Sequence, residues 1–285
     1  MIDNLNQIST VRSSMHFDII HAVDPATRHQ YAVKMGRQGA NGGGHQERLL
    51  RNEWKATRRL THPNLLKYHF LGRKDRLPYL VMDFAEAANL RTYLSRILPE
   101  GMKAVATRDM FAMRSWIENA VVQMITVVAF IHSRGILHLD IKPENFLVLN
   151  GTDIRLIDFS NNARYGFWGR FARPNGITGT PAYISPEQIR LEKPREASDI
   201  YSLGATIYFM LTGAPPFSGH STQEILARHL NARPVPLADI IPGLRRPFGL
   251  MVDKMLAKNA NDRLANLAML KNEIIQNGIF PHLAR

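Results

Sequence analysis

Asp140, Lys142 and Asn145 stand close together in Ile136-Leu-His-Leu-Asp-Ile-Lys-Pro-Glu-Asn-Phe-Leu-Val148, and Asp158 follows thirteen residues after Asn145, in Ile157-Asp-Phe-Ser160. Phosphoryl transfer needs these side chains: a carboxylate to accept or orient a hydroxyl, an ammonium for the γ-phosphate, and oxygen ligands for a divalent ion. Any one acid is commonplace. The four residues together at this spacing are not. A second pairing lies upstream. Lys34 sits in the apolar stretch Tyr31-Ala-Val-Lys-Met35, where an edge lysine snorkelling to water is the plainer alternative. Glu53 lies on the row Leu49, Glu53, Ala56, Leu60, the otherwise apolar face of a helix. An acid facing a core needs a partner, and an inward lysine on a nearby strand supplies one.

The elements that must position these residues follow from periodicity. Residues 31–35 alternate as a strand, with Tyr31, Val33 and Met35 on one face and Ala32 and Lys34 on the other. Residues 36–44 hold five glycines in nine and predict a flexible loop. A helix is expected over 45–60, and strands over 65–71 and 79–84. From Leu90 the pattern turns helical: 116–133, an all-round apolar and hence buried helix at 199–211, amphipathic segments at 222–230 and 248–256, and a closing segment at 261–275. Short strands and loops fill 135–158. The expectation is an α+β, bilobal, single domain, with a small β-rich N-terminal lobe (about 1–84), a junction near 83–89 and a larger helical lobe (about 90–285).

With 285 residues, 45% of them hydrophobic, the chain has room for one large domain or two lobes. The absence of cysteine excludes disulfides and thiolate metal sites. No stretch approaches about 18 consecutive apolar residues, and the N-terminus lacks a basic-then-apolar leader pattern, so a soluble cytoplasmic protein is the default. The net charge of +12 favours an anionic partner, with a scattered solvated surface as the equal alternative. No run of five basic residues and no nucleic-acid motif is present, so no nucleic-acid partner is expected.

From about Phe17 to Ile275 the chain resembles the eukaryotic-like serine/threonine protein kinases of bacteria. Ala32-Val-Lys34 is similar to the strand whose lysine holds the α- and β-phosphates, and Glu53, nine residues before His62-Pro-Asn64, to its ion-pair glutamate. Tyr79-Leu-Val-Met-Asp-Phe-Ala85 resembles the hinge. The resemblance implies that the Asp83 carbonyl and Ala85 amide bond adenine beside gatekeeper Met82, with Ile19, Ala32, Asn89 and Leu147 also contributing to the nucleotide site. It makes Asp140 the catalytic acid/base with Lys142 beside it, and Asn145 and Asp158 the metal ligands. ATP with Mg²⁺ or Mn²⁺ is the implied cofactor set, and a protein Ser/Thr hydroxyl the acceptor. Gly179-Thr-Pro-Ala-Tyr-Ile-Ser-Pro-Glu187 resembles the substrate-docking segment, and Asp199-Ile-Tyr-Ser-Leu-Gly204 the start of the helix supporting the catalytic loop. Glu187 and Arg263 match a structural ion pair. Lys142 and Thr180 fit the Ser/Thr group.

Three positions depart from that pattern. Arg12-Ser-Ser-Met-His-Phe-Asp-Ile19 holds no glycine where a glycine-rich loop is usual, which predicts weak nucleotide binding unless Ser13, Ser14, Arg12 or His16 compensates. Ser160 replaces the glycine after Asp158-Phe. Leu139 replaces the arginine that gathers activation-loop phosphate, so phosphorylation at Thr178 is expected to be dispensable. Arg164, Arg170 and Arg173, in a segment without acids, leave both an acidic substrate and a plain solvated loop open. An active kinase, with every catalytic side chain in place, is preferred over a pseudokinase scaffold or nucleotide sensor.

Overall fold

The alternating residues upstream of Phe84 build one antiparallel sheet. The computed structural model describes residues 2–38, 43–97, 111–164 and 176–281. The strands are β1 (Asn6–Ser13), β2 (Phe17–Val23), β3 (Gln30–Gly36), β4 (Tyr68–Lys74) and β5 (Leu77–Asp83), in the order β1-β2-β3-β5-β4. Register assigns the faces. Ile19 pairs with Lys34, Lys34 with Leu80 and Ala32 with Met82, so these five share one face. Ala22, Val33, Tyr79 and Val81 form a small core on the other, closed over by Ile2, Leu5, Ile20, Tyr31 and Met35.

Helix α1 (Gly43–Thr57) packs on β3, β4 and β5. Its buried row is Gln46, Leu50, Glu53, Ala56 and Thr57. This is one step round from the expected row, and Leu60 falls beyond the helix. Three of these five are polar, and each is bonded: Gln46 Nε2 donates to the Arg37 carbonyl, Thr57 Oγ1 to the Glu53 carbonyl, and Glu53 accepts from Lys34.

The remaining elements are largely helical: β6 (Ala88–Asn89), α2 (Leu90–Ile97), α3 (Phe111–Ser133), β7 (Ile136–Leu137), β8 (Phe146–Leu149), β9 (Asp153–Leu156), β10 (Ala163–Arg164), α4 (Pro186–Ile189), α5 (Glu196–Thr212), α6 (Thr222–Asn231), α7 (Leu237–Ile240), α8 (Arg246–Met255) and α9 (Ala268–Asn277). Helix α5 is buried without interruption from Ser198 to Leu211 and stops at Gly213, whose φ of 77° gives the left-handed cap. By length and composition α3 could cross a bilayer, a property the sequence reading did not single out. Its Ile117, Val121, Met124, Val128 and Ile131 are instead core residues, against α5, α9 and β9.

The closing helix begins later than expected. Ala260–Asp262 form one 3-10 turn, Arg263 is extended, and α9 starts at Ala268. The extended backbone carries Arg263 to Glu187, where Nη1–Oε1 at 2.7 Å and Nη2–Oε2 at 2.9 Å make a bidentate buried pair. The chain divides into two compact units, Met1–Glu86 with Ile157–Asn162, and Ala87–Leu156 with Ala163–Arg285. The fold is thus α+β, a sheet-based unit and a helical one.

Candidate active site

In the first unit, β3 carries Lys34 inward and α1 brings Glu53 to it. Lys34 Nζ donates to Glu53 Oε2 and to Asp158 Oδ1, both at 2.8 Å. Glu53 is 1% exposed and Lys34 7%. The Tyr68 hydroxyl donates to Glu53 Oε1 at 3.0 Å, and the Phe159 N–H to the same oxygen at 3.3 Å. Burial alone would lower the Lys34 pKa, but the Asp158 and Glu53 carboxylates outweigh it and hold the ammonium above the ordinary lysine value. Burial pushes the Glu53 carboxyl up, opposed by the Lys34 charge. With three donors converging on it, Glu53 has the surroundings of an ionised carboxylate.

Asp158 stands at φ 64°, a left-handed conformation that costs a non-glycine residue about 1–2 kcal/mol. Its ion pair with Lys34 and the completely buried Phe159 behind it hold it there. Ser160 is absent from the positive-φ positions, so this backbone makes no demand for glycine at that residue.

The glycine-free segment is the β1–β2 turn. The Ser14 N–H donates to the Phe17 carbonyl at 2.8 Å, its hydroxyl to the same carbonyl at 2.9 Å, and the Phe17 N–H to Ser14 Oγ at 3.1 Å. Of the compensations expected from sequence, the Ser14 hydroxyl is therefore already committed to its own turn. The Phe17 ring lies beneath Lys34 Nζ, 5.1 Å from its centroid. Ile19, Ala32 and Met82 lie on the same sheet face as Lys34. The Asp83 carboxylate is bonded on the opposite face, to His29 and His69, so its side chain takes no part in the Lys34 cluster.

In the second unit, Asp140 Oδ2 accepts from Lys142 Nζ at 2.7 Å, and Oδ1 from the Thr180 hydroxyl at 2.9 Å. Lys142 Nζ also donates to Thr180 Oγ1 at 2.7 Å. Asn145 Nδ2 donates to the Asp140 carbonyl at 2.8 Å, which orients the amide so that its oxygen is the atom available to a cation. Asn89 faces Leu147 across the β6–β8 pair, and its Oδ1 caps α2 through the Thr92 N–H.

The loop beneath Asp140 is held by Asp199, at the helix start that the resemblance made its support, and by Gln188, whose role the sequence did not signal. Asp199 Oδ2 accepts from the His138 N–H and from His132 Nε2, and Oδ1 from the Leu139 N–H, each at 2.8 Å. Gln188 Nε2 donates to the Leu139 carbonyl at 3.0 Å. These bonds fix Leu139 at φ 64° and so aim Asp140. The signal for Asp199 was there: a lone acid on a helix apolar all round must have partners. Tyr68 and Gln188 gave none, because their roles depend on long-range register. Gly179, at φ 123°, holds a backbone conformation strained for any side chain, and a Cβ there would press on the Leu139 carbonyl oxygen at 3.3 Å. Arg170 and Arg173 lie outside the described residues, and of Arg164 only the backbone is described.

Residues 18–275 match the family model described as the protein kinase domain. Among curated relatives, the probable serine/threonine-protein kinase PknB of Bifidobacterium longum is 29% identical over 81% of this chain and 34% of its own length. Serine/threonine-protein kinase PknB of Mycolicibacterium smegmatis is 31% identical over 80% of this chain and 35% of its own, and PknF of Mycobacterium tuberculosis 30% over 86% and 50%. The chain thus spans about a third to a half of the length of these relatives.

Proposed function

Because the chain belongs to the protein kinase domain family, we propose that it transfers the γ-phosphoryl group of ATP to a serine or threonine hydroxyl of a protein substrate. The observation that carries this reading is the threonine hydroxyl bonded to Asp140 Oδ1 with Lys142 beside both. It is the arrangement an acceptor hydroxyl needs: a carboxylate for its proton and an ammonium for the charge on the transferring group. In the reaction the acceptor oxygen bonds to the γ-phosphorus, the bond from that phosphorus to the β–γ bridging oxygen breaks, and Asp140 takes the hydroxyl proton. Lys142 then stabilises the negative charge of the γ-phosphoryl oxygens. Lys34, kept cationic by its carboxylate neighbours, holds the α- and β-phosphates. Ile19, Ala32, Met82, Ala85 and the Asp83 backbone receive the adenosine moiety.

Asp158 and Asn145 are hard oxygen donors of the kind Mg²⁺ prefers, and the Asn145 amide is already turned to offer its carbonyl oxygen. When bound, the ion neutralises charge on the β- and γ-phosphates. The relatives' names carry the Ser/Thr preference to this chain. The basic segment around Arg164 supports an acidic substrate, and a cytoplasmic setting suits an ATP-dependent enzyme. The test is ³²P transfer from γ-labelled ATP to a generic acidic Ser/Thr protein, wild type against Asp140→Asn, with EDTA and Mg²⁺ add-back. Mg²⁺-dependent label on serine or threonine, absent from the variant, is expected. Nucleotide binding without transfer would make the protein a nucleotide-sensing scaffold instead.

A further inference from the structure

The sheet face opposite Lys34 gathers a second set of ligand-type side chains. His69 Nε2 lies 2.6 Å from Asp83 Oδ1, and His29 Nε2 lies 3.3 Å from the same oxygen. All three ligand atoms fall within 4.8 Å of one another. Three separate features of the backbone bring them together. Tyr68 pairs with Met82 and Phe70 with Val81, so His69 is the extra residue of a β-bulge, the device that re-aims a side chain from its strand's alternation. Asp24 builds the turn before β3: its Oδ1 accepts from the Ala26 N–H at 2.9 Å, its Oδ2 from the Thr27 hydroxyl at 2.9 Å, and its N–H donates to the His29 carbonyl. Asp83 is set directly opposite Tyr31, two residues after His29, which places His29 and Asp83 diagonally on one face. The Tyr31 ring packs on both imidazoles, at 4.5 Å from His29 and 5.4 Å, edge-on, from His69.

We propose that His29, His69 and Asp83 bind one divalent transition-metal ion of the Zn²⁺ class. Two imidazoles and a carboxylate with room for a solvent ligand suit Zn²⁺, Co²⁺ or Ni²⁺, whereas Mg²⁺ prefers oxygen donors alone. Bonds of about 2.0–2.2 Å put neighbouring tetrahedral ligand atoms roughly 3.3–3.5 Å apart. The His29–Asp83 separation already fits, and the His69–Asp83 pair has only to open by less than an ångström. The side chains of His29 and Asp83 are 48% and 35% exposed, so an ion can reach them and that adjustment is open to them. Asp83 is also the residue whose backbone was assigned to adenine, so an ion here ties the turn before β3 to β4 and β5, beside the nucleotide-binding residues and without sharing their ligands.

The test uses the full tag-free chain at neutral pH with saturating Mg²⁺, which occupies oxygen-only sites. Co²⁺ is followed by its d–d absorption and Zn²⁺ by calorimetry. About one equivalent should bind to wild type, and His29→Ala, His69→Ala and Asp83→Asn should each weaken binding by roughly tenfold or more. Asp140→Asn and Asp158→Asn should bind as wild type does, so the result stands or falls apart from the kinase reading. His29 lies in an exposed hairpin, and melting temperature checks that its variant is folded. A His29→Ala/His69→Ala chain that binds Co²⁺ and Zn²⁺ as wild type does, or a wild type with no d–d absorption at about millimolar Co²⁺, overturns the proposal.

Discussion

Asp140 and Lys34 sit in different electrostatic settings, and their substitutions should fail differently. Asp140→Asn keeps the size of the side chain and a hydrogen-bonding oxygen but cannot take a proton. Turnover should fall by about 10²–10⁴-fold, the usual worth of a positioned base, with ATP affinity changed little. Lys34→Met removes the proposed phosphate contact and also strips the cation from Glu53, which is 1% exposed and keeps, among the described residues, Tyr68 and Phe159 as donors. An uncompensated buried charge costs about 3–5 kcal/mol, so this variant should melt well below wild type as well as losing activity. Adding Glu53→Gln to Lys34→Met should recover part of that melting temperature without recovering transfer. If Lys34→Met melts with wild type, or Asp140→Asn turns over at more than about a tenth of the normal rate, the assignments fail.

On the proposed kinase reading, the β1–β2 turn sets how tightly phosphate is held. Glycines at this position would let backbone N–H groups approach the β- and γ-phosphates. Here the turn is closed on itself: the Ser14 N–H and hydroxyl both serve the Phe17 carbonyl, and Arg37 Nη1 donates to the Ser14 carbonyl at 3.0 Å. Hydrogen bonds to charged groups are worth about 1.5–3 kcal/mol, so one missing phosphate contact weakens binding by about tenfold or more. The expected KM for ATP lies in the upper part of the usual range of about 1 μM–1 mM. Calorimetry with Mg²⁺ and a non-hydrolysable ATP analogue checks this. Low-micromolar affinity that persists when Ser13, Ser14 and His16 are all alanine would show that the missing glycines cost nothing.

Across the whole molecule, what was legible in the sequence was what is local or chemically unusual. The Asp140 loop, Asp158, and Lys34 with Glu53 announce themselves by type and spacing, and α5 by being apolar all round. Strands β1 and β2 did not, because β1 is exposed along its length and alternates with nothing buried. Tyr68 under Glu53 and the His69 bulge are consequences of register between distant strands, and the late start of α9 follows from the reach of Arg263 to Glu187. His229 belongs to the same group. It is fully buried, with Nδ1 at 2.8 Å from the Tyr201 hydroxyl, and burial, reinforced by the Lys258 charge, lowers its pKa to about 4. The unfolded chain takes up that proton near pH 6.5, whereas the folded chain refuses it until about pH 4. Stability is therefore unaffected by this group above pH 6.5, falls as pH drops from 6.5 toward 4, and levels off below. At pH 5 the deficit is about 2 kcal/mol, equivalent to roughly 4 °C in Tm for a chain of this size. Glu187 is held below the ordinary range, burial pushing its carboxyl up but the Arg263 bonds outweighing that. Its contribution is lost only at lower pH, as the carboxylate protonates, so the two windows separate. His229→Gln keeps a side-chain amide near Tyr201 and removes the titration. Between pH 7.5 and pH 5 its Tm should fall about 4 °C less than that of wild type. Equal falls in the two proteins would mean that His229 is protonated in the folded state and is not the source of acid sensitivity.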